Sequence, residues 1–239
     1  MMAITAEPLT IAVGEDERVS GLLQARADAH AAYVMAHGAG AGMTHAFMTS
    51  MAAELSAHRI ATLRFQFPYM ERGERRTDPP KVAHATVRAA VAEASHRLPG
   101  LPLFAGGRSF GGRMSSQAQA LAPLPGVRGL LFLGFPLHPA GKPSIDRAAH
   151  LDAVRIPMLF LQGTSDELAE LPLLESVVAR LGPRATLELF DSADHSFHVP
   201  ARSGRRDAEV RAAMIAAIQV WIDLTLLASA EPTPSRAMR

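Results

Sequence analysis

Short apolar runs alternate with longer stretches of helical periodicity along almost the whole chain. The spacing predicts strands at Thr10–Val13, Val19–Ala25, Ala31–Ala36, Ile60–Phe67, Leu101–Ala105, Val127–Leu133, Pro157–Leu161 and Thr186–Phe190. The first two flank the polar turn Gly14-Glu15-Asp16-Glu17 and predict a hairpin. Later runs, such as AAYVMA and MLFLQ, read as apolar throughout, which suits parallel strands buried on both faces. Between them, helical spacing covers His45–His58, Lys81–Leu98, Phe110–Leu121, Leu171–Leu181 and Arg206–Leu227. In the second of these, Val87, Ala90, Val91, Ala94 and Leu98 share a stripe, with Pro79-Pro80 as start signal and Pro99-Gly100 as stop. The alternation implies an α/β fold with a mostly parallel, eight-stranded sheet and helices on both faces. One domain is expected over residues 1–230, followed by a disordered tail at 231–239.

Composition narrows the function. The 239 residues are 48% hydrophobic, enough for a sizeable core. A formal net charge of +1 offers no electrostatic footprint for nucleic acid. The absence of cysteine removes disulfides, thiolate metal sites and a cysteine nucleophile, and suits a reducing, cytoplasmic setting. No basic region followed by an uninterrupted apolar core is read at the N-terminus, so no secretory signal is expected. Ala212–Ala230 approaches the length of a membrane span, but Gln219 and Asp223 lie inside it. A central acid costs about 2.5–3.5 kcal/mol on insertion. Met214, Ile218, Trp221 and Ile222 repeat at helical spacing, so a terminal helix packed on the core is expected, with no membrane partner.

The segment Leu101–Met114, LPLFAGGRSFGGRM, carries the chemistry. An apolar run ends in a glycine-rich turn and a helical stretch follows, placing Gly107, Ser109 and Gly111 in the spacing G-x-S-x-G. A nucleophile on so tight a strand-to-helix turn takes strained backbone angles, and glycines on either side give it clearance. The helix that follows aims its positive end at the serine and favours a developing oxyanion.

A serine hydroxyl needs a base, and the base needs an acid to orient it. For this kind of turn the chain order is serine, then acid, then histidine. Asp166 follows the strand run PMLFLQGTSDEL, with Glu167 its rival. His195 follows the run TLELFDSADHSFH, with His198 its rival. Proximity to the strand ends favours Asp166 and His195. Asp191, Asp194, His195 and His198 lack the H-E-x-x-H spacing of a zinc site, so no metal and no other cofactor are expected.

The loop His37-Gly38-Ala39-Gly40-Ala41-Gly42 follows the strand AAYVMA. It is not a dinucleotide fingerprint, because Met43 stands where the third glycine belongs and the next strand ends without an acid. No GK[ST] follows to make a phosphate loop. A loop of this kind supplies an oxyanion-hole N–H in hydrolases with a serine elbow. The backbone N–H groups of Ala39 and Phe110 are the expected pair, with Gly40 as alternative to Ala39.

Together the segments HGAGAGM, TLRFQFPYM, GGRSFGGRM, LGFPLHPAGKP, PMLFLQGTSDEL and ADHSFH resemble the α/β-hydrolase superfamily. Within it the chain looks like the dienelactone-hydrolase-like proteins. The likeness is strongest to a group shared with a testis-expressed protein and a subunit of the chromatin-associated non-specific lethal complex. The resemblance implies an α/β-hydrolase fold with Ser109, Asp166 and His195 as a catalytic triad. It also implies a serine hydrolase acting on small soluble esters. Dienelactone hydrolases themselves carry cysteine at the elbow, where this chain has Ser109. The chromatin relative shows that a silent scaffold on this fold is the alternative.

Only Leu137–Val154 lies between the sixth and seventh predicted strands, too short for a large cap domain, so an open site is expected. Arg108, Arg72, Arg75, Arg76, His138 and Lys142 fall in turns at the expected active-site end and suggest recognition of an anionic substrate, with Arg108 foremost beside the nucleophile. Tyr69, with Met70, is expected to wall the pocket, and Gly40 to border the substrate. The sequence does not set the oligomeric state.

Overall fold

The computed structural model describes residues 5–230, and the expected tail at 231–239 lies outside them. Eight strands form one sheet: β1 (Glu7–Ala12), β2 (Arg18–Gln24), β3 (Ala31–Ala36), β4 (Ile60–Phe65), β5 (Leu103–Arg108), β6 (Val127–Leu133), β7 (Met158–Gly163) and β8 (Ala185–Phe190). Their spatial order is β1-β2-β4-β3-β5-β6-β7-β8. The β1–β2 hairpin is antiparallel, as its polar turn implies, and β2 joins β4 antiparallel. Every other neighbouring pair is parallel.

Among the described residues, five α-helices lie between strands, α1 (Ala46–Ala57), α2 (Pro68–Glu71), α3 (Pro80–Arg97), α4 (Phe110–Leu121) and α5 (Leu171–Leu181), and a sixth, α6 (Asp207–Ala230), follows the last strand. One face of the sheet packs α1 and α6 through Met48, Met51, Leu55, Met214, Ile218 and Trp221. The other face packs α3, α4 and α5 through Val87, Val91, Met114, Ala118, Leu174 and Val177. With both faces covered, the central strands β3 and β4 are buried at every residue, which explains the unbroken apolar run of β3; β4 is apolar but for the buried Thr62 and Arg64. Helix α6 is long and apolar enough to cross a membrane. It buries the expected stripe against the sheet and leaves Val220, Leu224 and Leu227 exposed on its opposite side.

The largest departure from the sequence reading falls at β5. Gly106 and Gly107 belong to the strand rather than to the turn after it. There they pair with Met35 and Ala36 on one side and with Leu131 and Phe132 on the other. A Cβ on Gly107 would lie 2.1 Å from the Ala36 carbonyl oxygen, and the residue sits at φ 139°. Neither the space nor the backbone angle admits a side chain. Gly107→Ala is therefore expected to destabilise the fold by about 4 kcal/mol or more, seen as a lower urea midpoint with an unchanged slope.

Between β6 and β7 the only regular structure is a 3₁₀ segment, Asp146–Ala153, which packs beside α4. No cap domain lies there. The chain runs from β3 to β4 on one side of β3, then crosses to β5 on the other. That reversal opens a crevice at the carboxyl ends of β3 and β5, where open α/β sheets place their sites.

Candidate active site

Ser109 stands at the crevice, between the last residue of β5 and the first of α4. Its backbone is held at φ 49°, ψ −114°, a conformation that non-glycine residues rarely adopt. Two hydrogen bonds hold it there: its N–H donates to the Leu133 carbonyl (3.3 Å), and its carbonyl accepts from the Arg113 N–H (3.1 Å). Gly111 lets α4 approach β3 closely, since a Cβ there would meet the His37 carbonyl oxygen at 2.5 Å. The Phe110 N–H is in the first turn of α4, where helix amides have no intrahelical acceptor.

Three distant segments meet at this point. The Ser109 Oγ lies 2.8 Å from His195 Nε2, and His195 Nδ1 lies 2.7 Å from Asp166 Oδ2. Because a carboxylate only accepts, Nδ1 carries the imidazole proton and Nε2 is free to accept from the serine hydroxyl. The Asp166 side chain is fully buried, and that of His195 is 22% exposed at the cavity surface. Asp166 is saturated with donors: its Oδ1 accepts from the Leu168 N–H (2.8 Å), and its Oδ2 also accepts from Gln162 Nε2. Gln162 is in turn fixed through its Oε1 by the Phe135 N–H (2.9 Å). The loop carrying His195 is pinned by Asp194, whose Oδ1 accepts from the N–H groups of Ser196 (2.7 Å) and His198 (3.0 Å). The rivals lie elsewhere. Glu167 is exposed, and His198 pairs with Asp207 at 2.9 Å on the surface.

The glycine loop after β3 forms the facing wall. His37 is completely buried and ties the loop to the chain beyond β4. Its Nδ1 donates to the Gly38 carbonyl (2.8 Å), and its Nε2 accepts from the Phe67 N–H (3.0 Å). Met43, at the far end of the loop, is clamped on both backbone groups. Its N–H donates to Gln66 Oε1 (2.9 Å), and its carbonyl accepts from Arg64 Nη1 (3.1 Å). Gln162, Arg64 and Gln66 escaped the sequence reading. Their signal was a polar residue standing inside an otherwise apolar strand run.

Burial pushes the His37 imidazole down to about 4, with the Gly38 hydrogen bond opposing it in part. Burial does the same to His150, also to about 4, aided by the nearby charge of Arg113. Both groups remain neutral in the folded protein at pH values where the unfolded chain protonates them. The unfolded state then binds more protons, so stability is complete above about pH 6.5 and falls as the pH drops toward about 4. Urea midpoints measured across that window should decline, and His150→Asn should flatten the decline.

The cavity over Ser109 has a volume of about 440 Å³ and is lined by Gly38, Ala39, Ala41, His45, Phe47, Arg108, Ser109, Leu168, His195 and Ser196. Arg108 is thus in the cavity, and Ala39 faces it. Gly40 is at the exposed outer turn of the loop, with φ 76°. Gly40, expected to border the substrate, is thus outside the cavity lining, and two further expectations are corrected with it. Tyr69 does not wall the cavity: it is completely buried behind the glycine loop against His37, Phe67 and Phe110. His138 is buried as well, its Nδ1 bonded to the Pro139 carbonyl (2.9 Å) and its Nε2 accepting from the Glu170 N–H (3.4 Å). Both were misplaced because proximity along the chain to an active-site loop does not tell which way a ring turns. Arg72 is paired with Glu74 and Asp78, and Arg75, Arg76 and Lys142 are exposed away from the cavity.

The fold agrees with the comparisons to known proteins. Residues 29–223 match the family described as Alpha/beta hydrolase domain, and the chain belongs to that family. Among solved structures it is similar to a dienelactone hydrolase from Anabaena variabilis, with 19% identity and a TM-score of 0.72, covering 92% of this chain and 97% of that one. It is also similar to a lid-free α/β serine hydrolase from Xanthomonas campestris, with 20% identity and a TM-score of 0.70 over 91% and 95% of the two chains. A third likeness is to an α/β serine hydrolase homologue from Coxiella burnetii, at 19% identity and a TM-score of 0.72, covering 91% and 99%. At these identities the structural likeness speaks for the fold.

Proposed function

We propose that this protein is a serine hydrolase of the carboxylesterase type, cleaving small soluble esters through an acyl-enzyme. The observation that carries the proposal is the unbroken hydrogen-bonded line from Ser109 through His195 to the buried Asp166, at the floor of an open cavity. In the proposed reaction the Ser109 Oγ attacks the ester carbonyl carbon while His195 Nε2 takes the hydroxyl proton. Asp166 holds the ring orientation and stabilises the imidazolium. The negative charge that develops on the carbonyl oxygen is received by the N–H groups of Phe110 and Ala39. His195 then returns its proton to the departing alcohol, which leaves the acyl group on Ser109. Water, giving a proton to the same nitrogen, attacks the acyl carbon; the acyl–Oγ bond then breaks as His195 returns that proton to Ser109 Oγ, and the acid is released.

The short connection between β6 and β7 supports small, soluble substrates, because nothing there forms a closing apolar lid. The test is covalent. A fluorophosphonate probe should label the purified protein at Ser109, and Ser109→Ala should abolish the label. An unlabelled, folded wild-type protein would instead support the silent scaffold suggested by the chromatin relative.

A further inference from the structure

Arg72, half exposed, has two acids to pair with, Glu74 and Asp78. Arg108 is different. It follows Gly107 at the end of β5, adjoins the nucleophile, and lines the same cavity as Ser109 and His195. Its guanidinium carbon lies 4.9 Å from the centre of the Phe47 ring, and its Nη2 donates to the Ser196 Oγ at 2.9 Å. Among the described residues no carboxylate forms an ion pair with it. The acid whose field reaches it is Asp194, whose Oδ1 is already bonded to two backbone N–H groups. Burial correspondingly holds the Arg108 pKa below the usual arginine value, with Asp194 offsetting part of this. A partly desolvated cation with no paired anion is unfavourable unless something else supplies the charge.

We infer that the cavity is built for an ester that itself carries a carboxylate, which the Arg108 guanidinium binds. The inference rests on the hydrolase reading above. Ring and hydroxyl orient the planar guanidinium before substrate arrives, leaving donors on its other edges for a two-point match to a carboxylate. A monoanion is favoured over a phosphate dianion because, among the described residues, no lysine or second arginine lines the cavity. The remaining walls, Ala39, Ala41, Phe47 and Leu168, suit a short hydrocarbon link between the ester and the acid.

Two ester pairs test this, one with the acid on the acyl side and one with it on the alcohol side. They are mono-4-nitrophenyl glutarate against its methyl ester, and 4-acetoxybenzoate against its methyl ester. In at least one pair the wild type should favour the anion by about tenfold or more in kcat/KM. Arg108→Gln should collapse that ratio toward one, while Arg108→Lys should retain part of it. A role confined to bridging the two loops would lower both members of a pair alike and leave the ratio unchanged. A wild type that hydrolyses the neutral esters without preferring either anion overturns the inference and leaves the hydrolase reading intact. Calorimetric titration of glutarate into Ser109→Ala separates the two readings further. Binding that weakens with salt and vanishes when Arg108→Gln is added supports the anion site even where no turnover is found. Absence of binding together with absence of anion preference rejects it.

Discussion

Ser109→Ala is expected to lower kcat on 4-nitrophenyl acetate by about 10⁴-fold or more, because it removes the hydroxyl bonded to His195 Nε2. The fold should survive the change. The residue keeps its φ of 49° through backbone hydrogen bonds to Leu133 and Arg113, and alanine makes both equally well. The melting temperature should therefore stay within about two degrees, so that lost turnover reports on chemistry and not on unfolding. Residual activity within tenfold of the wild type, in protein freed of contaminating esterase, would remove Ser109 from the nucleophile's role.

Asp166→Asn should cost about 10³- to 10⁴-fold in kcat. The substitution is nearly isosteric, yet an amide cannot satisfy this site in either orientation. With its NH₂ at the Oδ2 position it confronts two donors, His195 Nδ1–H and Gln162 Nε2. Turned over, the NH₂ confronts the Leu168 N–H. The buried mismatch should lower stability by about 1–3 kcal/mol as well, and His195 loses the partner that fixes its proton on Nδ1. Urea unfolding alongside steady-state kinetics checks both effects. Glu167→Gln, which alters an exposed neighbour, should leave turnover within about twofold and shows that the position rather than the local charge matters. Equal losses in the two variants would contradict the assignment of Asp166.

Much of this protein was legible without coordinates. The strand at Val127–Leu133 and the helices Phe110–Leu121 and Leu171–Leu181 are found where their spacing predicts, because long periodic or uniformly apolar segments leave few alternatives. The end of β5 was not legible in this way. Glycines usually mark a turn, and here they mark a strand so tightly enclosed by β3 and β6 that only glycine fits. The short helix α2 was missed too, since the four residues Pro68–Glu71 carry no period. At the site, the polar letters inside apolar runs, Arg64, Gln66 and Gln162, were passed over as interruptions of a pattern. They are the groups that brace the loop at Met43 and the carboxylate at Asp166.

The linear order of residues alone determined the alternation of strand and helix, the glycine-flanked serine, and the succession of serine, acid and histidine that limits the chemistry. Those are local or ordinal properties, set by side-chain size, period and position in the chain. Only the tertiary structure decided that Arg108 turns into the cavity while Tyr69 and His138 turn into the core, and that Gln162 braces the carboxylate that meets the imidazole. Side-chain direction depends on which neighbours compete for the same space, and those neighbours come from parts of the chain that sequence distance does not relate.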